Sequence, residues 1–504
     1  MRVPLNRTMK RILALLLLSV LLLLAFAGCN SGGKKGKETT KKPETQTQPS
    51  GDGRSSAVST LPSDLKLNNL SINFAVRARE DILFELDPSF NTVDVLATDI
   101  AQRNAAAQDI LDVSFELKMI PGTFVQKGQF QQAVRTNAQL NADEIYDAVF
   151  GPNYSLVPLM LEGYFQNLTD VDYLNLDNPW WNNNFIQECS YLEKLYMVEG
   201  ELTLSMLDSA FVMFYDTQLY NNFNKSGDSV YDIVKEGDWT LEALKSIVKD
   251  VYSDDGDGIR NTADIFGMVS PAFACGRDGF PTAFEVRIAW KDPEGKIASD
   301  FNSQRNVNIY ETFYKFLHEN DGVFVNGNND GAREGCRNMF QNGQAMFITE
   351  LLNYANIIRT LDRDYGVLPL PKFDESQQNY ATNSEAVHSQ ISISKGSSKI
   401  RETAALLEEM CFLTYRDVTL DYYSTVKYRN QREEEAVRML DIILNSITSN
   451  FGAQFSTQIT SPFPTPMGEE QNIATGLSGK EEMVNTMLKV LKQKIYNLDN
   501  EQAS

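Results

Sequence analysis

Met339–Pro371 reads MFQNGQAMFITELLNYANIIRTLDRDYGVLPLP, and its punctuation decides the fold class. Met339 and Phe340 end a helix that Gly343 stops, because glycine enters the left-handed C-cap conformation without a Cβ penalty. Ala345 to Ile348 is a short apolar run of the length of a buried strand. A helix starts at about Leu352, and Gly366 to Pro371 forms a second strand. Strand and helix alternating over so short a span is the rhythm of an α/β sheet.

The same rhythm runs toward the N-terminus. In Leu67–Val76, LNNLSINFAV, the residues Leu70, Ile72 and Phe74 alternate with polar neighbours as in a strand. A helix follows through Asp99–Ile110, a second alternating strand at Val113–Met119, an amphipathic helix over Gly128–Asn141, and a short apolar strand at Ile145–Phe150. Such order predicts largely parallel strands with crossover helices. Beyond residue 240 the pattern is more helical, with helices predicted at Leu241–Val251, Ile309–His318, Ile400–Tyr415, Glu433–Ile447 and Glu481–Tyr496. No internal repeat is visible.

Four stretches, in order, resemble the family 1 extracellular solute-binding proteins, the maltodextrin-binding-like receptors of bacterial ABC importers. Phe340, Gly343, Ala345 and Met346 with Tyr365-Gly366-Val367-Leu368-Pro369-Leu370-Pro371 are similar to the family's F-x-x-G-x-A-A-M … Y-G-V-x-P-L-P signature. Asp238-Trp239-Thr240-Leu241-Glu242-Ala243-Leu244 resembles its W-T helix start, with Thr240 as N-cap and Glu242 near the positive end of the dipole. Leu207–Leu219, LDSAFVMFYDTQL, resembles its apolar strand, with Asp216 in place of the family's asparagine. Tyr164–Trp181, YFQNLTDVDYLNLDNPWW, resembles the L-T-D … W-W segment of long sugar-binding lipoproteins.

This resemblance implies a two-lobed periplasmic-binding-protein-like α/β fold of type II, with solute held in a cleft between lobes joined by crossing segments. The first lobe is then expected over 67–203 plus 388–424, and the second over 208–386 plus 428–499. The function implied is that of an importer's receptor, not an enzyme: capture of a sugar, delivery to permease subunits, and work as a monomer. Three stretches give candidate ligand contacts after the strands: Arg77, Arg79, Glu80 and Asp81; Asn153 and Tyr154 in a Gly-Pro-Asn-Tyr turn; and Glu350 beyond the strand AMFI. Asp208 near the first crossing and Trp290 in the second lobe complete the set. Aromatic faces stack on pyranose rings, while carboxylates, amides and arginines hydrogen-bond hydroxyls. Leu351, Leu352 and Asn353 stand where maltodextrin receptors carry a tryptophan, which points away from maltodextrin and leaves other sugars open. A same-fold receptor for a non-sugar solute or for a sensor kinase, and a secreted glycan hydrolase with paired carboxylates, are the competing readings.

The N-terminus carries Arg2, Arg7, Lys10 and Arg11, then an apolar run from Ile12 to Ala27 broken by Ser19. That is too short for a permanent span and has the form of a secretory signal over 1–28. Phe26-Ala27-Gly28-Cys29 resembles a bacterial lipobox, with Phe26 where leucine is usual. Acylation of Cys29 would anchor the chain stably in a membrane. Residues 29–62, rich in Gly, Ser, Thr, Lys and Pro, are expected to form a disordered tether.

Composition closes off other functions. The 504 residues carry 46 basic and 67 acidic side chains, a formal charge of −21, which repels phosphate backbones and argues against nucleic-acid partners. Only two histidines occur, His318 and His388, which disfavours a His-rich metal site and most His-dependent catalysis. No cofactor is expected, with one exception: a structural calcium in the stretch Ser253–Asp264. Asp255, Asp257 and Asn261 fall at positions 3, 5 and 9 of a calcium loop, Gly258 at 6, and Asp264 at 12 in place of the usual glutamate. Four cysteines remain after Cys29, namely Cys189, Cys275, Cys336 and Cys411; three pairings, or buried free thiols, are open.

Overall fold

The alternation over residues 70–77 places Ile72, Phe74 and Val76 in the core, and this strand, β1 (Leu70–Arg77), sits inside the first sheet. In the computed structural model the described residues run from 52 to 498, without 92–93, 141–143, 225–226, 273, 292–294, 328, 427–432, 450 and 456–472. The signal segment and Cys29 therefore lie outside the described residues. No helix among the described residues is long and apolar enough to cross a membrane.

The first sheet has the order β12-β3-β1-β2. β2 (Val113–Ile120) and β3 (Ala148–Gly151) flank β1 in parallel, with Leu70 opposite Val113 and Arg77 opposite Ile120. β12 (Gln390–Ile393) closes the edge antiparallel to β3. Helices α1 (Asp94–Leu111) and α2 (Lys127–Asn137) make the crossovers, and α3 (Asn153–Leu161) leaves β3 directly.

The second sheet comes from β4 (Phe211–Asp216), β5 (Tyr252–Ser253), β6 (Ile265–Pro271), β9 (Val323–Asn326), β10 (Ala345–Leu351) and β11 (Tyr365–Pro369). Its path is β11-β4-β10-β6-β5, with β9 also on β6. β10 and β9 are parallel to β6, whereas β4 is antiparallel to β10 and β11. β7 (Ala289–Lys291) and β8 (Ile297–Ser299) form a separate ribbon. Helices α4 (Leu241–Val248), α5 (Gln304–His318) and α6 (Asp330–Gln341) belong to this half. Thr240 caps α4 by accepting from the Ala243 amide at 3.2 Å. Trp239 beside it is fully buried and donates to the Pro369 carbonyl at 3.0 Å.

Two segments join the sheets and run side by side. Val198 and Ile391 exchange antiparallel backbone hydrogen bonds of 2.9 Å in each direction, the Glu385 amide donates to Ser209 at 2.9 Å, and the Phe211 amide donates to Asn383 at 3.0 Å. The chain then continues through α7 (Ile400–Leu413), a π turn at Thr414–Val418, α8 (Thr419–Val426), α9 (Glu433–Ser446) and α10 (Glu481–Asn497).

Two expectations change and one is sharpened. β10 continues through Leu351, so Glu350 lies inside the strand and not beyond it. Trp290, read in sequence only as a second-lobe residue, sits in the ribbon strand β7. The tether expected over 29–62 does not extend that far, because the chain from residue 52 packs on the fold: Arg54 is 5% exposed and pairs with Glu201. A compositional reading counts missing apolar residues and cannot see a polar segment held by one buried ion pair. The four cysteines among the described residues, Cys189, Cys275, Cys336 and Cys411, are buried and free.

Candidate functional site

In open α/β sheets the loops beyond the strand carboxyl ends form the crevice where ligands sit. β1, β2 and β3 are mutually parallel, so their carboxyl ends bring Arg77, the turn Gly122–Phe124 and the start of α3 together. Arg77 is buried. One guanidinium nitrogen faces the Tyr154 hydroxyl at 3.4 Å and the other donates to the Val387 carbonyl on the second joining segment. Burial pushes its pKa below the usual value. A Cβ at Gly122 would come within 2.7 Å of Arg77 Cγ, so only glycine lets the turn pass over this arginine.

Tyr154 meets Phe124 edge-to-face, with ring centroids 5.2 Å apart, and the Lys127 ammonium lies 3.9 Å from the Phe124 centroid. Phe124 is 56% exposed and the adjacent Val125 is 91% exposed. An aromatic and an aliphatic side chain thus face solvent at the strand ends. Asn153 is turned elsewhere, its amide donating to the carbonyl of Gln454 at 3.3 Å.

Charged groups adjoin these aromatics. Arg79 grips Asp81 through both carboxylate oxygens, and Glu80 is exposed. Glu385, on the second joining segment, has its pKa raised by burial; Arg333 and Arg79 act against that rise and Asp278 with it. Glu385 therefore feels one arginine from each half of the molecule.

Across the joint, Glu350 is 1% exposed. Arg333 donates to it at 2.8 and 2.5 Å, and Arg337 at 2.8 and 3.1 Å. The Cys275 thiol lies 3.3 Å from the same carboxylate, whose Oε2 also accepts from the Leu351 amide at 3.1 Å. Burial alone would raise the carboxyl pKa, but the two arginines outweigh it and hold it low. The acceptor capacity of Glu350 is thus used internally, and the group that reaches outward from the cluster is Arg333.

Asp208 is buried in the joint, accepting from Tyr422 at 2.9 Å and Asn353 at 3.2 Å, with its pKa pushed up to about 6 by burial. His388 in the second joining segment has Nε2 2.7 Å from Glu199 and Nδ1 2.7 Å from the Glu385 carbonyl. A carbonyl and a carboxylate on the two ring nitrogens suit an imidazolium that donates to both. Burial opposes that charge, and Glu199 outweighs it to raise the pKa. Trp290 is half-buried, with the Arg287 guanidinium 5.7 Å from its ring. Its strand neighbour Lys291 donates to the Ser190 carbonyl at 2.7 Å, so β7 adjoins the outer face of the first half.

The calcium expectation is redistributed. Asp264 is buried and its carboxylate accepts from the amides of Asp255 and Asn261, both at 3.0 Å, while Asn261 Oδ1 accepts from Ala263 at 2.7 Å. The Asp264 carboxylate is thus taken up by the loop's own amides. Asp254, Asp255 and Asp257 place carboxylate oxygens within 4.8 Å of one another, which fits the hard oxygen donors calcium takes.

Of the residues singled out in sequence, Arg77, Tyr154, Arg79 and Asp81 lie together at these strand ends; Phe124, Arg333 and Glu385 beside them were not singled out. The rule that found Tyr154, an aromatic in a Gly/Pro turn after a strand, applies equally to Pro121-Gly122-Thr123-Phe124. Arg333 and Glu385 have no local signal; only the packing of α6 against β10 and of the two joining segments brings them in.

No protein-family model matches this sequence, and no curated protein is detectably similar to it. Among solved structures, the extracellular solute-binding protein from Staphylococcus aureus in complex with maltose is similar at 13% identity, covering 86% of this chain and 99% of that one with a TM-score of 0.53. A cyclo/maltodextrin-binding protein complexed with maltotetraose is similar at 15% identity, 84% and 97% coverage and a TM-score of 0.51. The GacH receptor of Streptomyces glaucescens, solved unliganded and with acarbose, is similar at 12% identity, 85% and 99% coverage and a TM-score of 0.50. Likeness at this level establishes the fold, a two-lobed α/β architecture of the periplasmic-binding-protein kind.

Proposed function

We propose that this chain is the extracytoplasmic substrate-binding lipoprotein of an ABC importer, which captures a carbohydrate, an oligosaccharide, by closing its two lobes and delivers it to the permease. One observation carries the reading: at the strand ends of a fold shared with sugar receptors, an exposed aromatic, Phe124, lies on Tyr154 beside the ion pair of Arg79 and Asp81. Apolar face and fixed polar groups are the two things a pyranose needs. The lobes in this reading are 67–203 plus 388–424, and 208–386 plus 428–499, with Cys29 as the acylated anchor.

The chemistry follows from the groups present. Phe124 offers a flat apolar face, while Arg79, Asp81, Glu385 and Arg333 offer donors and acceptors from both halves. Closure brings them together only if solute binds the closed state more tightly than the open one. Asp208 and Glu350, two buried carboxylates near the joint, are occupied by internal donors, which supports binding over glycan hydrolysis. A calcium on Asp254, Asp255 and Asp257 belongs to the same proposal as a structural ion of the second lobe.

A thermal-shift screen of the chain against mono- and oligosaccharides tests the reading. A solute that binds only the native state at 100 times its dissociation constant adds about 2.7 kcal/mol. Carbohydrate hits that Phe124→Ala abolishes are expected. Hits among amino acids or peptides, with silence across sugars, would overturn the sugar assignment.

A further inference from the structure

The segment ahead of β1 is fastened to the molecule at the place where its two halves are joined. Arg54 lies in a helical turn at Asp52–Ser55 and is 2.5 Å from Glu201, which also accepts from the Thr419 hydroxyl at 2.7 Å. The Arg54 guanidinium stacks 4.2 Å from the Tyr415 ring centroid and 6.0 Å from that of Tyr423. Downstream, Ser59 donates to Glu409 at 2.6 Å and Asn178 to the Thr60 hydroxyl at 2.9 Å.

These partners belong to different moving parts. Glu201 lies three residues beyond Val198, in the first joining segment. Tyr415, Thr419 and Tyr423 lie in the helical run that leads out of the first half. Tyr423 in turn packs in one hydrophobic cluster with Leu440 and Ile443 of α9, which packs against β11 of the second sheet. A guanidinium buried against a carboxylate and two phenol rings holds them in one geometry, since losing either charge leaves the other buried and unpaired.

We propose that residues 54–60 are a strap that braces the joint, so that the chain leading from the N-terminus is mechanically coupled to the angle between the lobes. This rests on the reading of the joint as a hinge, but not on the solute being a sugar. A spacer needs no buried arginine. A strap whose one charge reaches the joining segment, the outgoing helix and, through Tyr423, the second half sets the stiffness of all three.

Backbone hydrogen exchange on the full chain tests this without any solute. In Arg54→Ala, and independently in Glu201→Gln, amides of both joining segments, Val198 and Glu385 among them, should exchange at least tenfold faster, while β1 amides such as Phe74 keep their wild-type rates. Arg54→Lys retains the charge, loses the stacking plane, and gives a smaller rise in the same amides if Arg54→Ala does not fold. Deletion of residues 30–51, which leaves the strap in place, should leave the joint unchanged. Faster exchange confined to 52–61 and 415–423 would overturn the proposal and make the strap a local staple, and so would a uniform rise that includes β1 or a tenfold effect of the 30–51 deletion. A sugar screen that stays silent while the exchange pattern holds would sink the carbohydrate reading alone.

Discussion

Replacing Glu350 with glutamine tests whether the second half of the site is organised around one buried carboxylate. The side chain is 1% exposed, and the arginines that grip it keep side-chain exposures of 21% for Arg333 and 17% for Arg337. Breaking a buried ion pair from one side costs about 3–5 kcal/mol. The water that reaches both arginines screens part of this, so the lower end, about 3 kcal/mol, is the expected loss at pH 7. For a chain of this size that is a fall in Tm of roughly 3 °C, read by calorimetry. The pH dependence fixes the mechanism. Glu350 has a folded pKa below its unfolded value, so its contribution is fully present above the unfolded carboxyl pKa and is lost as pH falls through the folded one. The difference between wild type and Glu350→Gln should therefore be flat from pH 8 to pH 5 and shrink only below about pH 4. A loss under about 1 kcal/mol, or one that vanishes between pH 8 and 5, would refute the view that the pair is buried and charge-assisted.

Three other outcomes follow from the same geometry. His388 has a raised folded pKa, so the stability it contributes is complete below pH 6.5 and is lost as pH rises through its folded pKa; urea unfolding of His388→Ala should show a loss of about 3 kcal/mol at pH 6 that narrows by pH 9, and a pH-independent loss would contradict the imidazolium assignment. Phe124→Ala should leave the melting temperature within about 1 °C, because the ring is mostly exposed, yet weaken sugar binding by roughly ten- to a hundredfold in titration calorimetry, the value of one lost aromatic contact of about 1.5–3 kcal/mol; unchanged affinity would remove Phe124 from the site. Calcium at 1 mM should raise the melting temperature relative to a chelator, and Asp254→Asn should abolish the rise while Asn261→Ala should not; equal sensitivity of both would restore the loop positions read from sequence.

Much of the architecture is local in origin and was legible. Alternation in Leu70–Val76 and the apolar run Ala345–Ile348 give strands because their side chains fit a pleated, buried face. Gly343 stops a helix because its φ is 72°. Thr240 starts one because its oxygen reaches the Ala243 amide. Arg77, Asp81 and Tyr154 could be placed at the strand ends because a residue just beyond a parallel strand emerges there whatever its partners are.

What the sequence alone determined is therefore the succession of elements, the α/β class and the loops that can reach a cleft. Tertiary structure decided what each charged group is for. Glu350 reads as a free carboxylate until α6 lays Arg333 and Arg337 against it. Asp264 reads as an ion ligand until its oxygens are taken by the loop's own amides. Arg54 reads as part of a spacer until Glu201, 147 residues away, receives it. Periodicity and capping act over one or two turns of chain, whereas the burial and pairing that set a charge's role depend on groups that only folding brings within a few ångströms.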